Sequence, residues 1–489
     1  MKIINHNKIA LIEETRKISY KELINYINNY ENYLKNIEGN RIAIFFENRF
    51  EWIAMFLAIL KSRKIAVPID ADIDEKDFDY IVKNSESNFT IYSSKTFPKI
   101  KENKGIDIEE IKIQETEIKD IDFNFNTSEV ATIIYTSGTS SNPVGVKLSK
   151  DNMFQNIEVL TESGVHNISD VIVLPLPFHH SYPLLGFLQA LSEGATIVIL
   201  REINSEKLRV AIKDNKPTSI IVVPLLLERL HREIMKRINS SSIARIFFNI
   251  AKVIKFQAFK KLVFKKIHEF FGGNLRIIPC GGAHLDINIQ KDFDTLGIKI
   301  SPGYGLTETA PLISAAPLNP KIGAAGKIVK GIEFKLVDGE IVVKGRQLMV
   351  GYQNRDDLMQ ERIKDGWFYT GDLGYLDNDG YLFITGRKKE LIVLANGKNI
   401  WPTEIENTIN ELDPLIKECA LIESEGKLKL LVLPSAFSSD IENKIKQIIN
   451  DKYNSKAQSY KVINEVKIIN KSIPRTRLGK IQRYKLNEL

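Results

Sequence analysis

Three runs stand in immediate succession near the N-terminus: Arg41-Ile-Ala-Ile-Phe-Phe46, Glu51-Trp-Ile-Ala-Met-Phe-Leu-Ala-Ile-Leu60 and Ile65-Ala-Val-Pro-Ile69. The outer two are short and rich in β-branched residues, as buried strands are. The middle one is too long for a strand and apolar on every side, as a buried helix is. A helix between two strands serves as a crossover, so the strands pair in parallel. This predicts an α/β fold with a largely parallel sheet. The pattern recurs as Val171-Ile-Val-Leu174, a helix from Leu184 to Leu191, and Ala195-Thr-Ile-Val-Ile-Leu200. Ser219-Ile-Ile-Val-Val223 predicts another strand that stops at Pro224, with a helix from Leu225 to about Met235. Earlier, Ser19 is placed to cap a helix that begins with Tyr20-Lys-Glu-Leu.

After Gly326 the texture changes to short strands, with Asp338-Gly339, Asp365-Gly366 and Asp379-Gly380 as hairpin turns. A small all-β, barrel-like region is expected over 326–386. The chain then becomes charged at Gly386-Arg-Lys-Lys389, where the domain boundary is expected. The remainder reads as α+β, with strands near Ala420–Ile422 and Lys427–Leu433 and a helix from Ile441 to Tyr453. The expected organisation is a large domain over 1–386 and a small one over 387–489.

The formal charge of +7 suits an anionic substrate, an acidic partner or a membrane surface, and is too small to argue for nucleic acid. Cys280 and Cys419 form no metal-ligand or redox spacing, which fits a reducing, cytoplasmic setting. Met1-Lys-Ile-Ile-Asn-His turns polar at once, so no secretory signal is expected. The longest apolar region, Val171 to Leu200, is interrupted by prolines, histidines and Glu193, so no membrane span is expected. The segment 244–271 interleaves Arg245, Lys252, Lys260 and Lys265 with Phe247, Phe256 and Phe264. Two readings apply to it: a basic amphipathic surface meeting anionic lipid or an acidic carrier, or a packed helix with lysines reaching out to water. Apolar residues on more than one face favour the packed helix.

The stretch Tyr135-Thr-Ser-Gly-Thr-Ser-Ser-Asn-Pro-Val-Gly-Val-Lys-Leu-Ser149 follows the apolar run Val130–Ile134. Gly138 and Gly145 allow close backbone approach, and Thr136, Ser137, Thr139, Ser140 and Ser141 add hydroxyl donors. Such a loop suits phosphate binding; alternatively it is a polar surface loop. Its spacing excludes a G-x-x-x-x-G-K-[ST] loop.

This stretch resembles the Thr/Ser/Gly-rich loop of the adenylate-forming superfamily, which includes the acyl-CoA synthetases. Four further segments match in the family's order: Gly281-Gly-Ala283, Tyr304-Gly-Leu-Thr-Glu308, Tyr369-Thr-Gly-Asp-Leu373 and Pro474-Arg-Thr-Arg-Leu-Gly-Lys480. The resemblance covers nearly the whole chain and implies formation of acyl-AMP from ATP and a carboxylic acid, then transfer to a thiol. It implies a mobile C-terminal domain hinged at Lys389, with Gly397 and Lys398 on the thiol side. Lys480 bridges carboxylate and α-phosphate. Thr307 donates to the α-phosphate, and Glu308 with Thr136 serves Mg²⁺. Ser137, Gly138, Thr139, Ser140, Lys147, Gly281, Gly282, Ala283, Tyr304 and Gly305 surround the nucleotide, with Asp372 and Arg387 on the ribose.

The family's amino-acid-activating members carry F-D-x-S, whose Asp pairs an ammonium. Here Phe178-His-His-Ser181 lacks it, and an ammonium buried without a partner is costly. Leu176-Pro-Phe-His-His-Ser-Tyr182 instead resembles the fatty-acid branch, with His180 beside the substrate. A medium- or long-chain fatty acid is therefore expected, with coenzyme A or an acyl carrier protein as acceptor. Two departures matter. Ser141 stands where a Gly is usual, and Val144 where a Lys is usual. They leave open an inactive relative that only binds nucleotide or acyl-AMP.

Overall fold

A computed structural model describes residues 1–97, 104–124, 128–136, 142–254, 256–316, 318–393, 398–410, 412–424, 427–475 and 481–489. The chain divides into two compact units. One is Met1–Phe334 with Val343–Phe368, and the other is Lys335–Val342 with Tyr369–Leu489.

The first unit is built around the helix Phe50–Lys61, whose residues from Phe50 to Leu60 are all buried. It contacts strands of two different sheets and the helix Tyr20–Lys35, which is why no polar face was visible in its sequence. Its N-terminus lacks a side-chain cap of its own. The buried carboxylate of Glu13 takes that role and accepts from Phe50 N–H at 2.8 Å, where the helix dipole favours an anion. Glu51, also buried, is held by Arg49 through bonds of 2.7 and 3.0 Å. Ser19 caps Tyr20–Lys35 as expected, in a reciprocal box with Glu22.

The predicted βαβ unit forms. Arg41–Phe45 lies between Ile65–Pro68 and Phe89–Tyr92, parallel to both, in a seven-stranded sheet. The second sheet is five-stranded, and Val171–Leu174 lies in it between Thr196–Ile199 and Ser219–Ile220, again all parallel. The hairpin Ile9–Glu13 and Arg16–Ser19 completes that sheet. Its second strand, Arg-Lys-Ile-Ser, is too short and too charged to stand out in the sequence.

Two expectations change. The region after Gly326 is not all β, because the helix Asp356–Arg362 interrupts it. Asp338-Gly339 and Asp365-Gly366 are hairpin turns with positive φ at both residues, as a two-residue turn demands. The segment 244–271 forms three short helices, Ser242–Ala251, Gln257–Val263 and Lys265–Phe270. Among the described residues, no helix is long and apolar enough to cross a membrane.

The second unit has its own core. Ile416–Ser424 and Lys427–Pro434 pair antiparallel, and Glu465–Ile468 joins in parallel. Side chains alternate across the sheet. Leu428, Leu430 and Val432 therefore pack with Ile405 and Ile409, while Leu431 and Leu433 pack with Ile469 and Leu486.

Asp170 shows how buried charge is managed at the strand that leads to the site. It is 1% exposed and accepts from Arg276, Thr218 and the backbone N–H of Asn167. Burial pushes its pKa up, but these partners outweigh burial and hold the carboxyl below its usual range. A depressed carboxylate stabilises the fold above the unfolded value of about 3.9, and that contribution is lost as pH falls through the lower folded value. Arg276→Met is expected to cost about 1–3 kcal/mol, the scale of leaving a buried acceptor short of its donors. Urea denaturation at neutral pH measures it; the difference from the wild type should shrink at a pH low enough to protonate Asp170.

Candidate active site

Parallel strands send their following loops to one edge. Val171–Leu174 is parallel to Ser219–Ile220. Ser219 and Val222 bridge in parallel to Ile277 and Cys280, and Ile278–Cys280 is parallel to Ile300–Tyr304. The segments that follow these strands are Leu176–Tyr182, Gly281–Ala283 and Gly305–Glu308. The crevice beyond the carboxyl ends of such strands is where α/β sheets bind ligands.

The segments touch. Ser181 Oγ lies 3.2 Å from Thr307 Oγ1. A Cβ added to Gly281 would stand 3.3 Å from the Tyr182 ring, and one added to Gly305 only 1.7 Å from Pro311 O. Gly305 is thus the only residue type that lets the chain from Tyr304 turn into Thr307. Phe178 anchors the first segment. It is fully buried, and its ring centroid lies 5.5 Å from that of Trp52 on the core helix and 5.6 Å from that of Phe187. Its N–H donates to Asn48 Oδ1 at 2.9 Å. His180, two residues on, is the N-cap of the helix Ser181–Ser192, its ring 4.1 Å from that of His179. His179 Nε2 lies 3.9 Å from Asp70.

Thr307 and Glu308 sit in the single turn Thr307–Thr309. The fully buried Asn156 donates to the carbonyls of Thr309 and Ala310 at 2.9 and 2.8 Å. Glu308 O accepts from Met349 N–H at 2.8 Å. Its carboxylate accepts from the Tyr352 hydroxyl at 2.9 Å. Burial, and then the Glu308 charge, pushes the Tyr352 phenol well above its usual range, so it stays a donor. One Glu308 oxygen is fixed by this bond. Among the described residues no group of three or more His, Cys, Asp or Glu could hold a metal by itself. A single oriented carboxylate fits Mg²⁺ that takes its other ligands from substrate phosphates and water.

The hydroxyl-rich stretch joins two antiparallel strands. Val130–Thr136 pairs with Val144–Ser149, Thr136 opposite Val144. Ser137, Gly138, Thr139, Ser140 and Ser141 lie outside the described residues, as do Gly397 and Lys480. Thr136 Oγ1 lies 3.4 Å from Val144 O. Val144 is buried at 9% exposure. Positions three apart on a strand point to opposite faces. Lys147 therefore leaves the sheet on the face opposite Val144 and runs beside Gly351, its Cε 3.6 Å from a Cβ built there. It does not stand in for a cation at 144.

In the second unit, Asp372 and Arg387 are opposite one another on paired strands. Arg387 Nε donates to the buried Asp372 carboxylate at 3.0 Å. Glu340 accepts from Gly371 N–H at 2.9 Å and pairs with Lys388 at 2.8 Å. Lys389 follows on the exposed turn Lys388–Glu390. The exposed Lys398 places its ammonium 5.7 Å from the Tyr460 ring centroid. Arg475 bridges antiparallel to Ile481, and Gln482 N–H donates to Pro474 O at 2.8 Å, which brackets the segment containing Lys480. Arg483 anchors its far end by donating to Glu406 at 2.8 and 2.9 Å and to Glu390 at 3.2 Å. Burial opposes the guanidinium charge, but Glu406 and Glu390 outweigh it and hold the pKa above its usual value.

Ser181, Asn156, Tyr352 and Glu340 position the site and were not singled out from the sequence. Each is remote in sequence from the group it holds, and only Ser181 stood inside a matched segment. Tyr352→Phe removes the donor to Glu308 and keeps the ring. It is expected to weaken the apparent Mg²⁺ affinity in ATP–pyrophosphate exchange about tenfold, the scale of one hydrogen bond to a charged group, with the thermal midpoint little changed. An unaltered Mg²⁺ dependence would show that Tyr352 does not orient Glu308.

Comparison with known proteins agrees with this geometry. The chain is 28% identical over 440 residues to a long-chain-fatty-acid–CoA ligase of Mycobacterium bovis, covering 78% of this chain and 71% of that one. It is 27% identical over 498 residues to a 2-succinylbenzoate–CoA ligase of Listeria innocua, covering 99% and 97%. The fold matches o-succinylbenzoate CoA synthetase from Bacillus subtilis, solved in complex with its acyl-adenylate intermediate. There the TM-score is 0.80 at 23% identity, over 99% of this chain and 96% of that one. The same enzyme in complex with ATP and magnesium ion gives 0.78 at 22% identity, over 98% and 97%. The AMP-binding enzyme family matches residues 4–353, and the family described as AMP-binding enzyme C-terminal domain matches 389–489. With the segments Leu176–Tyr182 and Gly305–Glu308 meeting at Ser181 and Thr307, the chain belongs to the AMP-binding enzymes, the adenylate-forming superfamily.

Proposed function

We propose that this protein is an AMP-forming acid–thiol ligase whose acid is a medium- or long-chain fatty acid. The observation that carries the reading is the contact between Ser181 and Thr307 at 3.2 Å, which joins the acid-side segment to the phosphate-side turn. In the first step the fatty-acid carboxylate oxygen attacks the α-phosphorus of ATP, and pyrophosphate leaves with the electron pair of the broken P–O bond. In the second, a thiol attacks the acyl carbon and AMP leaves. The charge that develops on phosphoryl oxygens calls for positioned donors and cations. Thr307 and Lys480 supply them. Tyr304, Gly281, Gly282 and Ala283 border the adenine side, and Asp372 with Arg387 binds the ribose. Glu308, oriented by Tyr352, would hold Mg²⁺, which would supply charge neutralisation at the phosphates.

Two features support a fatty acid over an amino acid. The segment 178–181 carries no carboxylate, and its Phe178 is fully committed to the aromatic core. The Mycobacterium bovis relative bears the corresponding name. The Listeria relative, matched over nearly its whole length, favours a second reading, an aromatic dicarboxylic acid such as 2-succinylbenzoate. Coenzyme A is the favoured acceptor, since both relatives are named as CoA ligases; a carrier protein's phosphopantetheine arm offers the same thiol.

Val144 fits an active enzyme because it fills buried space on the strand face where it lies, while Thr307, Glu308, Asp372, Arg387 and Lys480 are all retained. A binder without turnover has no need of all five.

ATP–pyrophosphate exchange over a panel of fatty acids and 2-succinylbenzoate tests the reading. Exchange should depend on a fatty acid and fall by at least about 10²-fold in Lys480→Ala, the scale of losing one transition-state charge contact. Exchange with 2-succinylbenzoate alone would move the protein to the second reading. No exchange in protein that still binds ATP would make it a binder.

The hinge gives a second expectation. One site must lose pyrophosphate and then admit a thiol, so Lys389 turns the C-terminal segment from Lys480 toward Gly397 and Lys398. Lys389→Pro is expected to slow thioester formation at least tenfold more than acyl-AMP formation. Equal loss in both half-reactions would remove Lys389 from this role.

A further inference from the structure

The helix Ser242–Ala251 has an apolar face that the fold leaves bare. Ile243, Ile246, Phe247 and Ile250 are 68, 58, 43 and 43% exposed. Their spacing puts them on one stripe of the helix, and Val253, just beyond its end, is 80% exposed. The opposite side carries Phe248 and Ala251, at 4 and 0%, and holds the helix to the protein. Just beyond, Phe256 is 69% exposed and Leu262, in the helix Gln257–Val263, is 74% exposed. The packed-helix reading of 244–271 thus holds for Phe248, Phe264 and Phe271 and fails for the outward stripe.

The charge around this stripe has one sign. From Ile234 to His268 the sequence contains no Asp or Glu. Lys236, Arg237, Arg245, Lys252, Lys261 and Lys266 are all exposed there. At 100° per residue, Arg245 and Lys252 project about 150° and 170° from the centre of the bare stripe, on the exposed polar side of the helix next to Phe248. Lys260 differs: it is buried and pairs with Asp294 at 3.1 Å, so its charge is spent inside the fold.

We propose that the helix Ser242–Ala251, with the turn through Val253 and Phe256, docks this protein on an anionic lipid surface. A single helix with an apolar face outward and Lys and Arg on its remaining exposed side is the form that inserts shallowly at the headgroup boundary. Basic side chains there gain from anionic headgroups, and the gain is screened by salt. The bare side chains are aliphatic or phenyl and carry no directional hydrogen-bonding group, which suits a fluid hydrocarbon surface better than an acidic protein. The contact does not depend on which acid is activated, and its test needs no activity.

The full chain is sedimented with phosphatidylglycerol vesicles and with phosphatidylcholine vesicles, at low and at high salt. Binding is expected to phosphatidylglycerol only, and to weaken with salt. Arg245→Ala with Lys252→Ala should lower the partition roughly 30-fold, at about 1 kcal/mol per basic residue near the surface and about 1.4 kcal/mol per tenfold. Ile246→Asp with Phe247→Asp should abolish it, with the thermal midpoint unchanged because both side chains are exposed. A Val253→Cys protein with an environment-sensitive label should shift to the blue on phosphatidylglycerol vesicles; Cys280 and Cys419 are buried and do not compete. This label reports the contact even if an Asp variant fails to fold. Absence of binding at low salt, binding unaltered in folded variants, a label that does not shift, or capture only by an acidic carrier protein would each overturn the lipid assignment.

Discussion

Burial of the helix Phe50–Lys61 against two sheets is the constraint on which the first unit depends. Burying one large apolar side chain contributes about 1.5–3 kcal/mol, and this helix buries its aromatic and aliphatic residues on every side. That is possible only where strands approach from more than one direction. The same burial reaches the candidate site. Trp52 and Phe56 pack with Phe178 and Phe187, and Phe178 stands two residues before His180. The segment Leu176–Tyr182 is positioned by core packing at Phe178.

Buried charge follows one rule throughout. Glu13 sits at a helix N-terminus, Asp170 is held by Arg276, Asp372 by Arg387, and Glu406 by Arg483. A buried carboxylate with its partner removed is costly, so each pair also fixes the backbone that carries it. In the second unit Asp372 and Arg387 hold each other across paired strands, and Arg483 anchors the chain three residues beyond Lys480. The bare stripe on Ser242–Ala251 breaks the usual pattern in the other direction, with apolar surface left in water and basic residues on the helix's other exposed side.

Much of this was legible in the sequence. Strands with β-branched runs, the Ser19 cap and the two-residue Asp-Gly turns are local effects, and they formed where the pattern placed them. The ordered segments Tyr304–Glu308 and Tyr369–Leu373 pointed to one chemistry because no single one of them needed to be decisive. Less legible were the strand Arg16–Ser19 and the helix Asp356–Arg362, which are short and polar, so periodicity has little to act on.

The sequence by itself determined the class of fold and the set of candidate residues, since both rest on residue type and local spacing. Only the tertiary structure decided which groups hold them. Tyr352 on Glu308, Asn156 under the turn Thr307–Thr309, and Ser181 on Thr307 are contacts across long chain separations. It also decided that Lys147 leaves the sheet opposite Val144, because facing on a strand has period two and is settled only by pairing register. The outward stripe of Ser242–Ala251 was decided there too: one helix face can be buried or bare, and its neighbours in space determine which.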